Sequence, residues 1–153
     1  SLATQVREMH GILLASSTEA ATREIAAALE LHAGNEVIRL ETMHNADGYP
    51  ISIATHWIDA MRFPSFVQDY AESGSITAAF KAAGIADYLR KSTVISARHA
   101  DPEDLRNLKL SPGAIVLTAR AVNIDTEGRP IQYSLTRFSA DRMEFSIEND
   151  ESN

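Results

Sequence analysis

Cysteine is missing from all 153 residues, which excludes a disulfide framework and any thiolate zinc site. Long apolar runs are missing too: nothing approaches the roughly 20 residues needed to span a bilayer. The opening Ser1-Leu-Ala-Thr-Gln-Val-Arg-Glu8 lacks the basic start and apolar centre of a signal peptide. These three absences lead to the expectation of a cytoplasmic protein with no membrane contact. Clustered positive charge is also absent. The chain has 14 Lys plus Arg against 21 Asp plus Glu, a formal charge of −7, and Arg90-Lys91 is its densest basic pair. Phosphate neutralisation supplies most nucleic-acid affinity, so this segment alone is expected to bind DNA poorly.

Motifs of catalysis are equally scarce. There is no Ser-His-Asp spacing, no glycine-rich phosphate loop and no HExxH pattern. The five histidines, at 10, 32, 44, 56 and 99, show neither i, i+2 nor i, i+4 spacing for a metal. The acidic residues Glu19, Asp47, Asp101, Glu103, Asp104 and Asp125 fall in turns and at helix starts, as caps and solvated turns do. No catalytic or metal-ligating residue is assigned, and no cofactor is expected. What is present is an ordinary globular composition, 44 % apolar and 23 % charged, in a length that suits a single domain over 1–153.

The chain also repeats itself. Leu29-Glu-Leu31-His-Ala-Gly34-Asn-Glu-Val37 is echoed by Leu108-Lys-Leu110-Ser-Pro-Gly113-Ala-Ile-Val116 at an offset of 79. After one extra residue in the second turn, Gly48 pairs with Gly128 and Pro50 with Pro130 at an offset of 80. Each copy has a physical reading. Ser16-Ser-Thr-Glu19 has the form of a capping box, followed by Ile25, Ala28 and Leu29 on one helical face. Asp101 caps the second helix, with Pro102 in its first turn and Leu105 and Leu108 on its buried stripe.

Gly34 and Gly113 follow as helix-ending or turn glycines. Two strands follow in each copy, joined at Asp47-Gly48 and at Glu127-Gly128, with Pro50 and Pro130 at strand starts. Between the copies a short helix is expected after Phe63-Pro64-Ser65-Phe66. A second is capped by Ser75, carries Ile76, Ala79, Phe80 and Ala83, and ends at Gly84. Thr93–Ala97 and the tail Met143–Ile147 read as further strands. Helix–strand–strand twice, with extra strands, predicts an α+β domain around a largely antiparallel sheet.

Strand alternation points to a place for function. In Ile51–Trp57 the odd positions are mostly apolar and the even ones small or polar, and Ile131–Thr136 keeps the same parity. One sheet face should pack under helices. The other, carrying His56 and Ser134, is either solvated or the lining of a polar cavity.

In their order and spacing, several segments resemble the UTRA domain, the ligand-binding half of the HutC branch of GntR-type transcription regulators. The carriers are Val37-Ile-Arg-Leu40, Ala46-Asp47-Gly48-x-Pro50, Gly74-Ser75-Ile76, Ile95-Ser96-Ala97, the Leu105, Leu108, Leu110, Gly113 series, Gly128-x-Pro130-Ile131, and Asp141-Arg142 before Phe145. They run from about Glu19 to Phe145. Ile95-Ser-Ala-Arg-His99 and Met143-Glu-Phe-Ser-Ile147 most resemble regulators of phosphonate utilisation. The resemblance implies a chorismate-lyase-like fold: a six-stranded antiparallel sheet with flanking helices. It also implies a homodimer, a small-molecule effector that modulates DNA binding, and a winged helix-turn-helix domain ahead of this segment.

Family members that bind phosphorylated sugars carry Arg-x-Arg where this chain has Thr42 and His44. That departure weakens a dianion site and leaves a titratable His as the cation there. Ser75 and Thr77 match a second ligand-contacting pair at a helix start suited to an anion, although Ser75 also fits a plain N-cap. The effector-site candidates are therefore Thr42, His44, His56, Ser75, Thr77 and Ser134. The relatives' Tyr-Arg pair is replaced by Phe138-Ser139. Arg98, Arg120 and Arg137 are either anion partners or surface and intersubunit pairs. A lyase-like enzyme and a ligand-free dimerisation domain remain the alternatives.

Overall fold

A computed structural model describes residues 11–148; the opening segment and His10 lie outside the described residues. The chain runs β1 (Ile12–Ala20), α1 (Arg23–Leu29), β2 (Glu36–Ala46), β3 (Tyr49–Asp59), α2 (Phe66–Ser73), α3 (Ile76–Ala82), β4 (Tyr88–His99), α4 (Pro102–Asn107), β5 (Ile115–Asp125) and β6 (Pro130–Ser139). Six strands form one antiparallel sheet in the order β1-β2-β3-β6-β5-β4. This is the expected α+β architecture.

The internal repeat is visible in the backbone. Each copy contributes strand–helix–strand–strand, and the two meet where β3 pairs with β6. Glu30 and Lys109 both close their helices in the left-handed region, at φ 55° and 51°. The Leu31 amide donates to the Ala26 carbonyl at 2.8 Å, as Leu110 does to Leu105 at 2.9 Å. Both hairpins carry a register shift at equivalent places, between His44 and Asn45 and between Asn123 and Ile124. Gly48 and Gly128 take positive φ at the turns, where a Cβ would be strained.

Two expectations are corrected. Ser16–Glu19 is not a capping box but part of β1, paired with β2 from Ser16↔Leu40 to Glu19↔Val37. The Glu19 carboxylate accepts from the Trp57 indole instead, at 3.1 Å, and Thr22 caps α1 by accepting from the Ile25 amide. An otherwise open β2 edge needs backbone partners along its length, a larger demand than one helix cap makes. Met143–Ile147 forms no strand. Phe145 packs edge-on against Phe138 instead, with ring centroids 5.5 Å apart, and β1 supplies the sixth strand.

Helices cover both faces of the sheet. On one, Ile25, Ala26 and Leu29 of α1 meet Val37 and Tyr133, while Leu108 at the end of α4 meets Ile53 and Val116. On the other, α2 and α3 bring Phe66, Tyr70, Ala79 and Phe80 onto Ile38, Leu40 and Ile58.

The α4 cap has the sequence-predicted form. The Asp104 amide donates to Asp101 Oδ1 at 2.8 Å, and the Asp101 amide donates to Asp104 Oδ2 at 3.0 Å. Asp101→Ala is expected to cost about 1 kcal/mol in urea denaturation, because one helix-start amide loses its acceptor.

Candidate functional site

Helices α2 and α3 cover the β1–β3 side of their face, leaving a recess over β6, β5 and β4. In the second copy, Leu40 and Thr42 are replaced by the smaller Ala119 and Ala121. The cavity in this recess has a volume of about 230 Å³. His44, Ser52, Ala54 and His56 line it from β2 and β3, and Gln132, Ser134, Thr136 and Phe138 from β6. Asn123, Tyr88 and Arg90 close it from β5 and β4, and Ile76 and Thr77 from α3. Ser52, His56, Asn123, Gln132 and Ser134 are buried, so the polar face of the strands is not simply solvated.

A chain of hydrogen bonds forms the cavity floor. Arg90 Nε donates to Asn123 Oδ1 at 2.8 Å, and Arg90 Nη1 donates to Thr93 Oγ1 at 3.0 Å. Asn123 Nδ2 donates to Gln132 Oε1 at 2.7 Å, and Gln132 Nε2 lies 2.8 Å from His56 Nδ1. His56 Nε2 lies 3.0 Å from Thr42 Oγ1, and Thr42 hydrogen-bonds the Tyr70 hydroxyl. A guanidinium only donates, and this sets the direction of every later link. Asn123 must present its oxygen to Arg90, and Gln132 its oxygen to Asn123. His56 therefore accepts at Nδ1 and carries its proton on Nε2.

Burial, reinforced by the charge of His44, lowers the His56 pKa to about 4, so the imidazole is neutral near pH 7. Burial also draws Arg90 below its ordinary value, yet a guanidinium stays charged in proteins. The recess thus presents one fixed cation, oriented amides and hydroxyls. It is well suited to holding a small anion by charge and direction.

The sequence candidates divide. His44, His56, Thr77 and Ser134 line the recess. Thr77 Oγ1 lies 2.6 Å from the Tyr88 hydroxyl. Thr42 is fully buried behind His56 and positions it. Ser75 stands outside the lining, its Oγ accepting from the Ala78 amide at 2.9 Å as an N-cap.

Arg98 pairs with Asp104, Arg120 lies 3.9 Å from Glu24, and Arg137 lies 3.3 Å from Glu41. None of the three lines the recess. Arg90, Asn123, Gln132 and Tyr88 escaped sequence reasoning. The alternation of β6 already placed Gln132 on the polar face. Arg90 was hidden by a register shift between Arg90 and Ser92. Alternation carried back from Thr93 selects Lys91 instead.

Residues 4–144 match the family model of the UTRA domain. The chain belongs to the UTRA domain family. An uncharacterized HTH-type transcriptional regulator of Rhizobium meliloti (strain 1021) is 49 % identical over 147 residues, 96 % of this chain and 60 % of the regulator. The "Probable transcriptional regulator PhnF" of Escherichia coli (strain K12) is 31 % identical, over 89 % of this chain and 56 % of that protein. This UTRA domain therefore spans under two-thirds of the length of both curated relatives.

Among solved structures, a PhnF C-terminal domain superposes with a TM-score of 0.82 at 28 % identity, covering 95 % of this chain and 91 % of that one. PhnF from Mycobacterium smegmatis gives a TM-score of 0.85 at 22 % identity, over 93 % of this chain and 63 % of that one, a likeness of fold. Both of the curated relatives are named as transcriptional regulators. The recess of this domain lies on the fold those structures share.

Proposed function

We propose that this UTRA domain senses a small anionic effector in the Arg90 recess. Effector binding would modulate DNA binding by a helix-turn-helix domain elsewhere in the regulator. The carrying observation is the floor itself: a chain of hydrogen bonds from Arg90 to Thr42 whose direction the guanidinium sets, so that His56 donates to the Thr42 hydroxyl and does not act on it as a base. A single guanidinium matches a monoanion better than a dianion, since two charges would leave one unpaired in a partly dry site. Phosphonates and phosphate esters, taken as their monoanions, head the candidates because Ile95–His99 and Met143–Ile147 resemble regulators of phosphonate utilisation.

The sensor acts as a cytoplasmic homodimer. Leu89, Val94 and Ile95 are exposed on the edge strand β4, and this apolar edge supports pairing of copies. The effector shifts one of two interdomain arrangements by its differential affinity.

Thermal unfolding against phosphonates, phosphate esters, amino-acid derivatives and chorismate tests the reading. A true effector at about 100 times its Kd is expected to add about 2.7 kcal/mol. Arg90→Met is expected to abolish that shift while the apo protein still unfolds cooperatively. Conversion of chorismate would establish the enzyme reading, and silence across the panel would move weight to the ligand-free dimerisation reading. Operator DNA bound identically by the full-length regulator, with and without saturating effector, would sink the sensor.

A further inference from the structure

The internal repeat places one guanidinium in the second copy and a cavity at the matching place in the first. In the second copy, Arg142 closes the end of α4. Its Nη1 donates to the carbonyls of Leu108 at 2.6 Å and Pro50 at 3.2 Å, and its Nη2 to that of Lys109 at 3.0 Å. The guanidinium lies 5.6 Å from the centre of the Tyr49 ring. The equivalent positions in the first copy are Leu29, Glu30 and Pro130, at offsets of 79 and 80. Their backbone is the same: the Glu30 amide lies 3.4 Å from the Ala27 carbonyl, as Lys109 does from Arg106.

Arg62 is the counterpart of Arg142, but it is drawn elsewhere. Its Nη2 donates to Asp125 Oδ2 at 2.7 Å, and its guanidinium lies 5.0 Å from the centre of the Phe63 ring. The residue equivalent to Asp125 in the first copy is Ala46, so Arg142 has no such carboxylate to follow. With Arg62 diverted, the end of α1 borders a cavity of about 410 Å³ lined by Leu29, Glu30, Leu31, Asp59, Arg62 and Pro130, with Met61 and Arg129.

Charge changes in the matching direction. Glu30 stands where the second copy has Lys109, and Asp59 where it has Ser139. Two carboxylates thus face the space whose twin holds a cation. Arg62 and Arg129 also border it, and both face Asp125, at 2.7 and 3.8 Å.

We propose that this cavity is a second ligand site, distinct from the Arg90 recess, that binds the guanidinium group of a small molecule. The guanidinium donates to the carbonyls of Leu29, Glu30 and Pro130 as Arg142 donates to their counterparts. Glu30 and Asp59 supply the countercharge. A planar fork of donors matches three diverging carbonyls better than a spherical ammonium does.

The test uses amide chemical shifts of this chain titrated with methylguanidinium, with uncharged methylurea as the isosteric control. Saturable movement is expected at Leu29–Leu31, Asp59 and Arg129, with none from methylurea. Glu30→Lys restores the second copy's charge at an exposed position and is expected to weaken binding at least about tenfold. Asp125→Asn keeps the oxygen that accepts from the Glu127 and Arg129 amides, each at 2.9 Å, and removes the charge that holds Arg62. Arg62 should then swing onto the α1 carbonyls and compete, again weakening binding. Movement that fails to saturate, an equal response to methylurea, or full affinity in Glu30→Lys would overturn the site. Titration of Arg90→Met separates the two cavities, since it should leave methylguanidinium binding intact.

Discussion

The free energy of unfolding is expected to fall by about 3 kcal/mol as pH drops from near 6.5 to about 4, with His56 as the principal cause. In the unfolded chain its imidazole takes a proton near its ordinary value of 6.5; in the folded chain it does so only at about 4. Between those values the unfolded state binds more protons, so stability rises with pH across the window and is complete above it. The cause is structural. His56 is buried, accepts from Gln132 at Nδ1, and donates to Thr42 at Nε2. A proton on Nδ1 would set two donors against each other and place a charge beside His44.

Urea denaturation across this window checks the expectation, with His56→Gln as the comparison. The variant should be less stable near neutrality and should lose most of the slope. An unchanged slope would assign it to other groups. Asp125 and Asp104 act at lower pH. The Arg62 hydrogen bond holds the Asp125 carboxyl below its ordinary range. Burial raises Asp104, but hydrogen bonds from Arg98 and the Asp101 amide outweigh it. The stability of both is present above the ordinary carboxylate range and is lost as pH falls below it.

Phe80→Ala is expected to cost about 4 kcal/mol. Phe80 is fully buried, with ring centroids 4.8 Å from Phe66, 5.4 Å from Phe63 and 5.4 Å from Tyr88. Removing the ring loses its transfer energy and leaves a void that short helices on a rigid sheet cannot close. Phe80→Leu, closer in volume, should cost about 1 kcal/mol. The substitution also reaches the site. Phe80 supports Tyr88, and the Tyr88 hydroxyl meets Thr77 on the far wall of the recess. Calorimetry should therefore show weaker effector binding in Phe80→Leu even where folding is complete. Unchanged binding would mean that the recess wall does not depend on the aromatic cluster beneath it.

Much of the fold was legible because its signals are local. The N-cap at Asp101, the turn glycines and the strand prolines each reflect a short-range demand of the backbone. The repeated spacing then announced the two copies. Local signals also misled where a longer-range pairing prevailed. Ser16–Glu19 has the composition of a helix cap and became an edge strand, because β2 needed a partner. Met143–Ile147 has the alternation of a strand, and the sheet has no edge there to receive it.

The candidate site was half legible. Alternation along β3 and β6 correctly set His56 and Ser134 on the face that became the recess, and family likeness added His44 and Thr77. Arg90, the one guanidinium lining it among the described residues, was hidden by one register shift that moves a strand residue from one face to the other. Such a shift leaves no mark in composition.

By itself, the sequence determined the class of fold, the internal repeat and the polar face, because periodicity, turn chemistry and capping act over a few residues. Tertiary structure alone decided which polar side chains meet. Asn123, Gln132, His56 and Thr42 come from four strands, and their direction of hydrogen bonding is imposed by a guanidinium on a fifth segment. The contrast between Arg142 and Arg62 arose in the same way. Equivalent residues in equivalent loops diverge because Arg62 has the Asp125 carboxylate within reach and Arg142 has an alanine at the equivalent position, a difference set by neighbours distant in the chain.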